Sequence, residues 1–201
     1  MIIVDQYHAI VDDINKDKIY SKLEKAARTC YKSEHKIDTS RTESFLQTLI
    51  RYGHESVLEH VNITVKFITD RGVSHELVRH RIASYSQEST RYCNYAKSNL
   101  VFIKPYFINQ EKFAIWFSAM QYAAIAYKNM IEAGATPDEA RSVLPTSIKT
   151  EIVMTANLRE WRHILKLRTT KFAHPQIRSL MLNLLKEFKE KLPVIFSDIE
   201  V

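Results

Sequence analysis

The stretch VNITVKF, residues 61–67, decides the class of fold, because apolar and polar residues alternate along it. Successive side chains of a β-strand point to opposite faces of a sheet, so this alternation predicts a half-buried strand. Shorter apolar stretches predict further strands near the start of the chain, where Ile2-Ile3-Val4 stands, and over residues 100–103 and 148–155. We therefore expect a small sheet.

Helices are predicted around these strands, from apolar residues spaced three and four apart. Gly53 and Gly134 each follow a predicted helix, in the position where glycine commonly closes one. Thr136-Pro137-Asp138-Glu139 is typical of the start of a short helix that ends before Pro145. The longer predicted helices cover residues 19–32, 44–52, 111–133, 158–167 and 175–192.

One further helix is predicted close to the most basic motif of the chain. Ser74 is expected to cap a helix that runs through Leu77 to Ile82. Arg79 and His80 would then lie in the body of this helix, and the residues from Ser84 onwards would form the loop that leaves it.

Composition excludes several classes of protein. The chain has 201 residues, enough for one well-packed domain, which we expect to span 1–201. Its 3 glycines exclude the glycine-rich phosphate loops of Rossmann and P-loop proteins. No apolar run is long enough to span a membrane. Two cysteines, Cys30 and Cys93, form no metal-binding spacing, and with no signal-peptide pattern we expect a cytoplasmic protein.

The net charge of +6 favours anionic partners, and the segment RHRIASYSQESTRY, residues 79–92, shows where they could bind. Guanidinium groups are permanently charged and bind phosphate oxygens in a bidentate manner, and the serine hydroxyls of the segment add neutral donors. The alternative interpretation is a solvated basic helix face followed by a polar loop.

Two other positions are suited to ligands. His54 follows a helix stop, where an exposed side chain can meet a ligand, whereas His60 is expected to be an ordinary surface or structural histidine. Arg178 stands in the first turn of the helix after His174-Pro175, where the positive end of the helix dipole adds to its charge. The histidines lack the H-E-x-x-H spacing, so no metal site is predicted.

Four motifs in order resemble the flavin-dependent thymidylate synthases. They are GHES at 53–56, the R-H-R-x7-S pattern of Arg79-His80-Arg81 with Ser89, the L-P-x5-E-I-x3-A-N pattern at 144–157, and H-P-Q-I-R at 174–178. Together they extend the resemblance from about Gly53 to Arg178.

The resemblance implies an α/β (α+β) fold, a small, mostly antiparallel sheet flanked by long helices, in a homotetramer whose active sites lie between subunits. It also implies an FAD-dependent methyltransferase that converts dUMP to dTMP. Methylenetetrahydrofolate would supply the carbon unit and NADPH would reduce the flavin, which would supply the hydride. No covalent cysteine nucleophile, nucleic acid or membrane is involved in this reaction.

The resemblance also assigns roles to individual residues. It implies catalytic roles for Arg178, which would favour the ionised form of the uracil, for Ser89 at its reacting edge and for His54. It implies that FAD contacts Ser56, Arg79, His80, Arg81, Gln87 and Arg168. It implies that dUMP contacts Glu76, Arg79, Gln87, Ser89, Arg91 and Arg178, with Arg91 on the phosphate.

The sequence departs from the family pattern at several positions. Gln87 stands where some members carry Glu, and Glu76 stands where some carry Gln. Both exchanges keep a hydrogen-bonding group. Glu151 stands where some members carry an arginine that holds dUMP, and Phe172 where others carry a polar flavin contact. We therefore assign no role to Glu151 or Phe172.

Two other functions remain as alternatives. A basic nucleic-acid-binding domain could use residues 74–83 as a recognition helix, with Arg79 and Arg81 on bases or phosphates. A structural or inhibitory helical protein would carry the R-H-R segment only as surface. Neither alternative gives Ser89, Arg91 and Arg178 a common purpose.

Overall fold

The structure, a computed structural model, describes residues 1–107 and 109–201 and is of mixed α/β type with a small antiparallel sheet and several helices. The strands are β1 (Ile2–Val4), β2 (Tyr7–Ile10), β3 (Asn62–Asp70), β4 (Ala83–Gln87), β5 (Val101–Ile103) and β6 (Lys149–Asn157). The helices are α1 (Lys16–Thr29), α2 (Thr42–Arg51), α3 (Arg71–Leu77), α4 (Gln110–Glu132), α5 (Pro137–Ala140), α6 (Leu158–Arg168), α7 (Pro175–Lys191) and α8 (Pro193–Phe196).

The strands form two sheets. β2, β3, β6 and β4 form a four-stranded sheet in that order, and β1 pairs in parallel with β5, with Ile2 opposite Val101. In β3 the alternation predicted from the sequence is confirmed, because Ile63, Val65 and Phe67 are buried. The same alternation buries every second residue of β6.

The chain divides into two compact units. The first unit consists of residues 1–8, 66–79 and 85–153, and the second of residues 9–65, 80–84 and 154–201. The expectation of a single domain stays a prediction.

The first unit has its core around α4. Phe102 of β5 and Ile148 are buried with Met120 and Tyr127 of α4. Of the 23 residues of this helix, Met120 and Tyr127 are the ones that become buried, while Ile115, Tyr122 and Ile125 remain largely exposed. Gly134 ends α4 with a φ of +95°, a conformation that glycine adopts without strain.

The second unit is mainly helical. α1 packs against α2, α2 against α8, and α6 against α7. Three aromatic rings lie at its centre: Phe188 of α7 is 5.7 Å from Trp161 and 4.8 Å from Phe196, measured between ring centroids. Gly53 closes α2 with a φ of +74°, as its position in the sequence predicts.

The prediction for residues 74–83 is wrong. β3 continues to Asp70, whose Oδ1 accepts a hydrogen bond from the Val73 amide at 2.7 Å, so Asp70, not Ser74, caps α3. The helix ends at Leu77, and residues 83–87 are a strand, not a loop. Arg79 and His80 therefore follow the helix, and a recognition helix over residues 74–83 does not form.

Smaller differences concern the ends of the chain. Residues 1–11 contain two short strands rather than one, and the helix predicted over 175–192 is not the last, because α8 follows it. Within the described residues, no helix is both long and apolar enough to cross a membrane.

Candidate active site

The R-H-R segment connects α3 to β4 and turns its side chains in different directions. Arg79 and Arg81 are exposed, whereas His80 between them is 5% exposed. Neither arginine forms an ion pair within residues 1–107 and 109–201. The segment therefore presents two guanidinium groups to solvent on either side of a buried imidazole.

Contacts in the second unit hold the His80 imidazole. Arg168 Nε donates a hydrogen bond to His80 Nε2 at 3.1 Å, and His80 Nδ1 lies 3.7 Å from Glu160 Oε1. Burial raises the pKa of the Glu160 carboxyl, an effect that the nearby His163 partly offsets. Arg168 is thus placed next to the R-H-R segment, as the sequence prediction requires.

These side chains also meet the geometric condition for a metal ion. The ligand atoms of His80, Glu160 and His163 lie within 4.8 Å of one another. However, Arg168 already donates to one nitrogen of His80, and a permanent cation beside a ligand opposes the binding of another cation. We assign no metal to this cluster.

A cavity of about 600 Å³ opens in the second unit beside the same cluster. Its lining combines carboxylates, cations and an amide with the apolar Ile82. The cavity is lined by Glu55, Glu59, Ile82, Asn157, Arg159, Glu160, His163 and Lys166. Sequence reasoning assigned no site role to these residues.

Two of the predicted residues, His54 and Ser56, lie in the same unit. Both are exposed, and they flank Glu55 at the start of the 3₁₀ turn Glu55–His60. Glu55 accepts hydrogen bonds from the buried Arg162 at 3.0 and 3.1 Å. Arg162 therefore fixes the backbone that carries His54 and Ser56.

Arg178 is half-buried in the first turn of α7, as predicted. Its Nε donates a 2.9 Å hydrogen bond to the carbonyl oxygen of Thr169, the residue that ends α6. This bond fixes the plane of the guanidinium and leaves its Nη groups for another acceptor. Phe172, in the connection between the two helices, is 88% exposed.

The first unit contains the other predicted residues. Gln87 at the end of β4 donates through Nε2 to Ser74 Oγ at 2.9 Å and to Thr150 Oγ1 at 3.1 Å. Both amide hydrogens are thereby used, so Gln87 can offer a ligand only the acceptor Oε1. Glu76 is half-buried near the end of α3.

Ser89 and Arg91 lie in the turn that follows β4. The Arg91 amide donates to Ser89 Oγ at 3.3 Å, and the Cys93 amide donates to the Ser89 carbonyl at 3.1 Å. Arg91 is exposed, and its Nε lies 3.3 Å from Asp138 Oδ1.

Glu88 attaches this turn to the neighbouring strand. Its Oε1 accepts from the Tyr95 hydroxyl at 2.8 Å, and its Oε2 accepts from Lys149 Nζ at 3.1 Å and from the Glu151 amide at 3.2 Å. Burial, together with this hydrogen bond, raises the pKa of Tyr95. Glu88, the residue before Ser89, is therefore held by hydrogen bonds at both oxygens of its carboxylate.

Glu151, which the sequence left without a role, forms ion pairs on both sides. Its carboxylate oxygens lie 2.7 Å from Lys149 Nζ and 2.5 Å from Lys66 Nζ. These hydrogen bonds hold the pKa of Glu151 below its usual value. Burial acts to lower the pKa of Lys149, but its hydrogen bonds to Glu151 and Glu88 outweigh that effect and raise the pKa.

The predicted residues thus form two groups. In the second unit His80 and Arg168 are in direct contact, and Arg178 bonds the residue after Arg168. In the first unit Gln87, Ser89 and Arg91 follow one another along β4 and its turn. Cys30 is exposed and Cys93 is half-buried.

Comparison with known proteins identifies the family to which this mixed α/β fold belongs. The sequence profile described as "Thymidylate synthase complementing protein" matches residues 14–194. A flavin-dependent thymidylate synthase of Geobacter sulfurreducens is 38% identical over 86% of this chain and 78% of its own length. That of Pyrococcus furiosus is 35% identical over 79% of this chain and 67% of its own.

The chain therefore belongs to the flavin-dependent thymidylate synthase family. This confirms the predicted family, its methyltransferase class and its flavin cofactor. A crystal structure of the UMP/dUMP methylase PolB from Streptomyces cacaoi, bound with 5-Br dUMP, has the same fold. It has a TM-score of 0.83 and 23% sequence identity, over 98% of this chain and 96% of that one.

Proposed function

We propose that this protein is a cytoplasmic enzyme that methylates dUMP reductively to dTMP, with methylenetetrahydrofolate as carbon donor and NADPH as reductant. In this reaction the C5 carbon of the uracil forms a bond to the donated methylene group and loses its hydrogen as a proton. The folate leaves, and a hydride completes the methyl group. The observation that carries this proposal is that Arg79 and Arg81, on either side of the buried His80, are exposed and form no ion pair among the described residues. Such guanidinium groups suit an anionic cofactor.

The residues of the second unit fit FAD. The cofactor has an anionic pyrophosphate, and Arg81 of this unit offers an exposed guanidinium group that no carboxylate of the described residues neutralises, as does Arg79, which belongs to the first unit and precedes His80 in the sequence. The 600 Å³ cavity beside His80 has an apolar wall at Ile82 and polar groups that could bind the remainder of the cofactor. Bound there with Ser56, His80 and Arg168 nearby, FAD would supply the hydride.

The residues of the first unit fit the nucleotide. Arg91 would hold the phosphate, Ser89 would lie at the reacting edge of the base, and Glu76 and Gln87 would contact dUMP by hydrogen bonds. Gln87 would accept through Oε1, because its amide hydrogens are bonded to Ser74 and Thr150. The anchoring of Glu88 supports this role, since a turn held in place loses less entropy when it binds.

Arg178 would contact the uracil and stabilise its ionised form, which makes C5 more nucleophilic. A guanidinium fixed beforehand by the Thr169 carbonyl suits that task, because it needs no reorganisation when negative charge develops. His54 would lie close to the reacting centre. No cysteine is required.

The protein would act as a homotetramer with shared active sites. α4 supports self-association, since Ile115 is 68%, Tyr122 74% and Ile125 56% exposed on a helix of the first unit. Such an apolar face costs solvation free energy until it is covered. The molar mass measured by light scattering tests this assignment, and a monomer would contradict it.

The proposed function is tested most simply on the purified protein. We expect a visible flavin absorption spectrum, which NADPH bleaches in the absence of oxygen. With methylenetetrahydrofolate added, tritium should be released from C5-tritiated dUMP, and omitting the folate should abolish the release. A protein that takes up no FAD and releases no tritium would contradict the proposal.

A further inference from the structure

A second arginine lies beside Arg91 in the first unit. Asp138 Oδ1 lies 3.3 Å from Arg91 Nε and 3.1 Å from Arg141 Nε, so one carboxylate oxygen holds both guanidinium groups. Among residues 1–107 and 109–201, Asp138 is the only carboxylate that pairs with either arginine. All three side chains are about half exposed, at 55% for Arg91, 47% for Asp138 and 43% for Arg141.

The charges of this cluster do not cancel. Two arginines and one aspartate leave a net positive charge, and the two guanidinium groups would repel each other without the carboxylate between them. Ion pairs as exposed as these contribute little to stability. The cluster therefore affects the local electrostatic potential more than it affects the stability of the fold.

Donors remain for an anion. Arg91 and Arg141 each use Nε on Asp138, so the Nη groups of both can bind a further acceptor. A phosphate monoester carries a charge of roughly −1.5 to −2 near neutral pH and three acceptor oxygens, more than one guanidinium can satisfy. Two neighbouring guanidinium groups can supply Nη donors to more of those oxygens than one can.

The cluster is continuous with the proposed nucleotide site. The Ser89 hydroxyl accepts from the Arg91 amide at 3.3 Å, so Arg91 links the Asp138 cluster to the turn that would meet the base. We propose that Arg141 is a second phosphate-binding residue of the nucleotide site and that Asp138 positions both guanidinium groups. This inference rests on the proposed function and adds a residue to its substrate contacts.

The test compares dUMP with deoxyuridine, which has the same base and sugar but no phosphate. Calorimetric titration into the flavin-loaded protein should show that Arg141→Ala binds dUMP about 10- to 100-fold more weakly, as expected for loss of a charged hydrogen bond. Its affinity for deoxyuridine should not change. Arg141→Lys should restore part of the loss, because lysine keeps the charge without the planar guanidinium.

A matched control exists in the second unit. Arg41 pairs with Asp38 at the same three-residue spacing, with Nε 3.5 Å from Asp38 Oδ2. Arg41→Ala removes a similar exposed ion pair and should leave dUMP affinity unchanged. Asp138→Ala should weaken dUMP binding several-fold, whereas Asp138→Asn, which keeps an acceptor oxygen for both arginines, should not.

Three results separate the possible failures. If Arg141→Ala keeps its flavin and binds dUMP as the wild type does, the inference is wrong and the proposed function stands. Equal losses of dUMP and deoxyuridine affinity would also overturn it, because they would show a general disturbance of the site. A wild-type protein that binds FAD but not dUMP would overturn the proposed function and this inference with it.

Discussion

At Arg178, one guanidinium has a structural bond and a proposed chemical role. Its Nε holds the carbonyl of Thr169 at the end of α6, so removing the side chain loses a hydrogen bond worth about 1 kcal/mol as well as a positive charge. If Arg178 stabilises the negative charge that develops on the uracil, the loss of its positive charge has a much larger effect than the loss of the hydrogen bond. Loss of one such donor in an enzyme lowers the rate by about two to three decades.

We therefore expect Arg178→Ala to retain FAD and to let NADPH reduce it, while dTMP formation falls by about two decades or more. Arg178→Lys should recover only part of the activity. Stopped-flow measurement of flavin reduction beside product formation separates the two half-reactions. Formation of dTMP at the normal rate by Arg178→Ala would mean that the residue only caps α6.

The short helix α3 shows how one side chain at a strand end sets the position of the R-H-R segment. Asp70 belongs to the end of β3 and also accepts from the Val73 amide, so the helix begins at Arg71, four residues earlier than it would with Ser74 as its N-cap. Gly72 fits beside this cap, because a Cβ there would lie 3.0 Å from Asp70 Oδ1. The helix ends at Leu77, so Arg79 and His80 follow it.

Replacing Asp70 by alanine should lower the free energy of unfolding by about 1 kcal/mol, the usual effect of losing an N-cap. It should also speed hydrogen exchange at the Val73 amide, whereas Asp70→Ser should keep most of the protection. Exchange followed by NMR, together with urea unfolding, measures both effects. Unchanged exchange at Val73 in the alanine variant would show that Asp70 does not cap the helix.

The elements predicted correctly from the sequence are those whose burial follows a strong period. β3, β6, α6 and α7 are examples, since each buries a regular set of apolar residues. β4 could not be predicted in this way. Ala83, Tyr85 and Gln87 do alternate with exposed serines, but they are small or polar, and the strand depends on its pairing with β6.

The candidate site was predictable to a similar degree. The arginines and Ser89 could be named from their motifs, because those motifs lie close together in the sequence. The cavity residues Asn157 and His163 gave no such signal, since a helix start and an isolated histidine occur in many proteins. Arg141 could not be singled out either, because its proximity to Arg91 depends on the fold.

Across the whole second unit, Arg162 joins distant parts of the chain. It is 1% exposed and donates hydrogen bonds to Glu55, to Asp198 and to the carbonyl of Ile195 in α8. Residues near the end of the chain are thereby connected to the turn that carries His54 and Ser56. Hydrogen bonds from Arg162 hold the pKa of Asp198 below its ordinary value of 3.8.

A depressed carboxyl pKa stabilises the folded state above the unfolded pKa, and that stabilisation is lost as the pH falls through the folded pKa. We expect the free energy of unfolding to decrease as the pH falls from about 5 to about 3. The decrease should be steeper in the wild type than in Asp198→Asn. Near neutral pH the variant should be less stable by about 1 kcal/mol, since Asp198 is partly exposed. Urea unfolding at several pH values measures both effects.

The control for this experiment is Asp13→Asn, which removes an exposed carboxylate that forms no ion pair within the described residues. Its pH dependence should parallel that of the wild type. If Asp198→Asn shows the same dependence too, the Arg162–Asp198 pair does not contribute to acid stability.

The central claim is that this chain makes dTMP by flavin chemistry without a cysteine nucleophile. The double variant Cys30→Ser, Cys93→Ser removes both thiols of the protein. With FAD, NADPH and methylenetetrahydrofolate, we expect it to convert dUMP to dTMP at most of the wild-type rate, whereas a synthase that uses a thiol would lose several decades of activity. A folded, flavin-loaded double variant that forms no dTMP would contradict the claim.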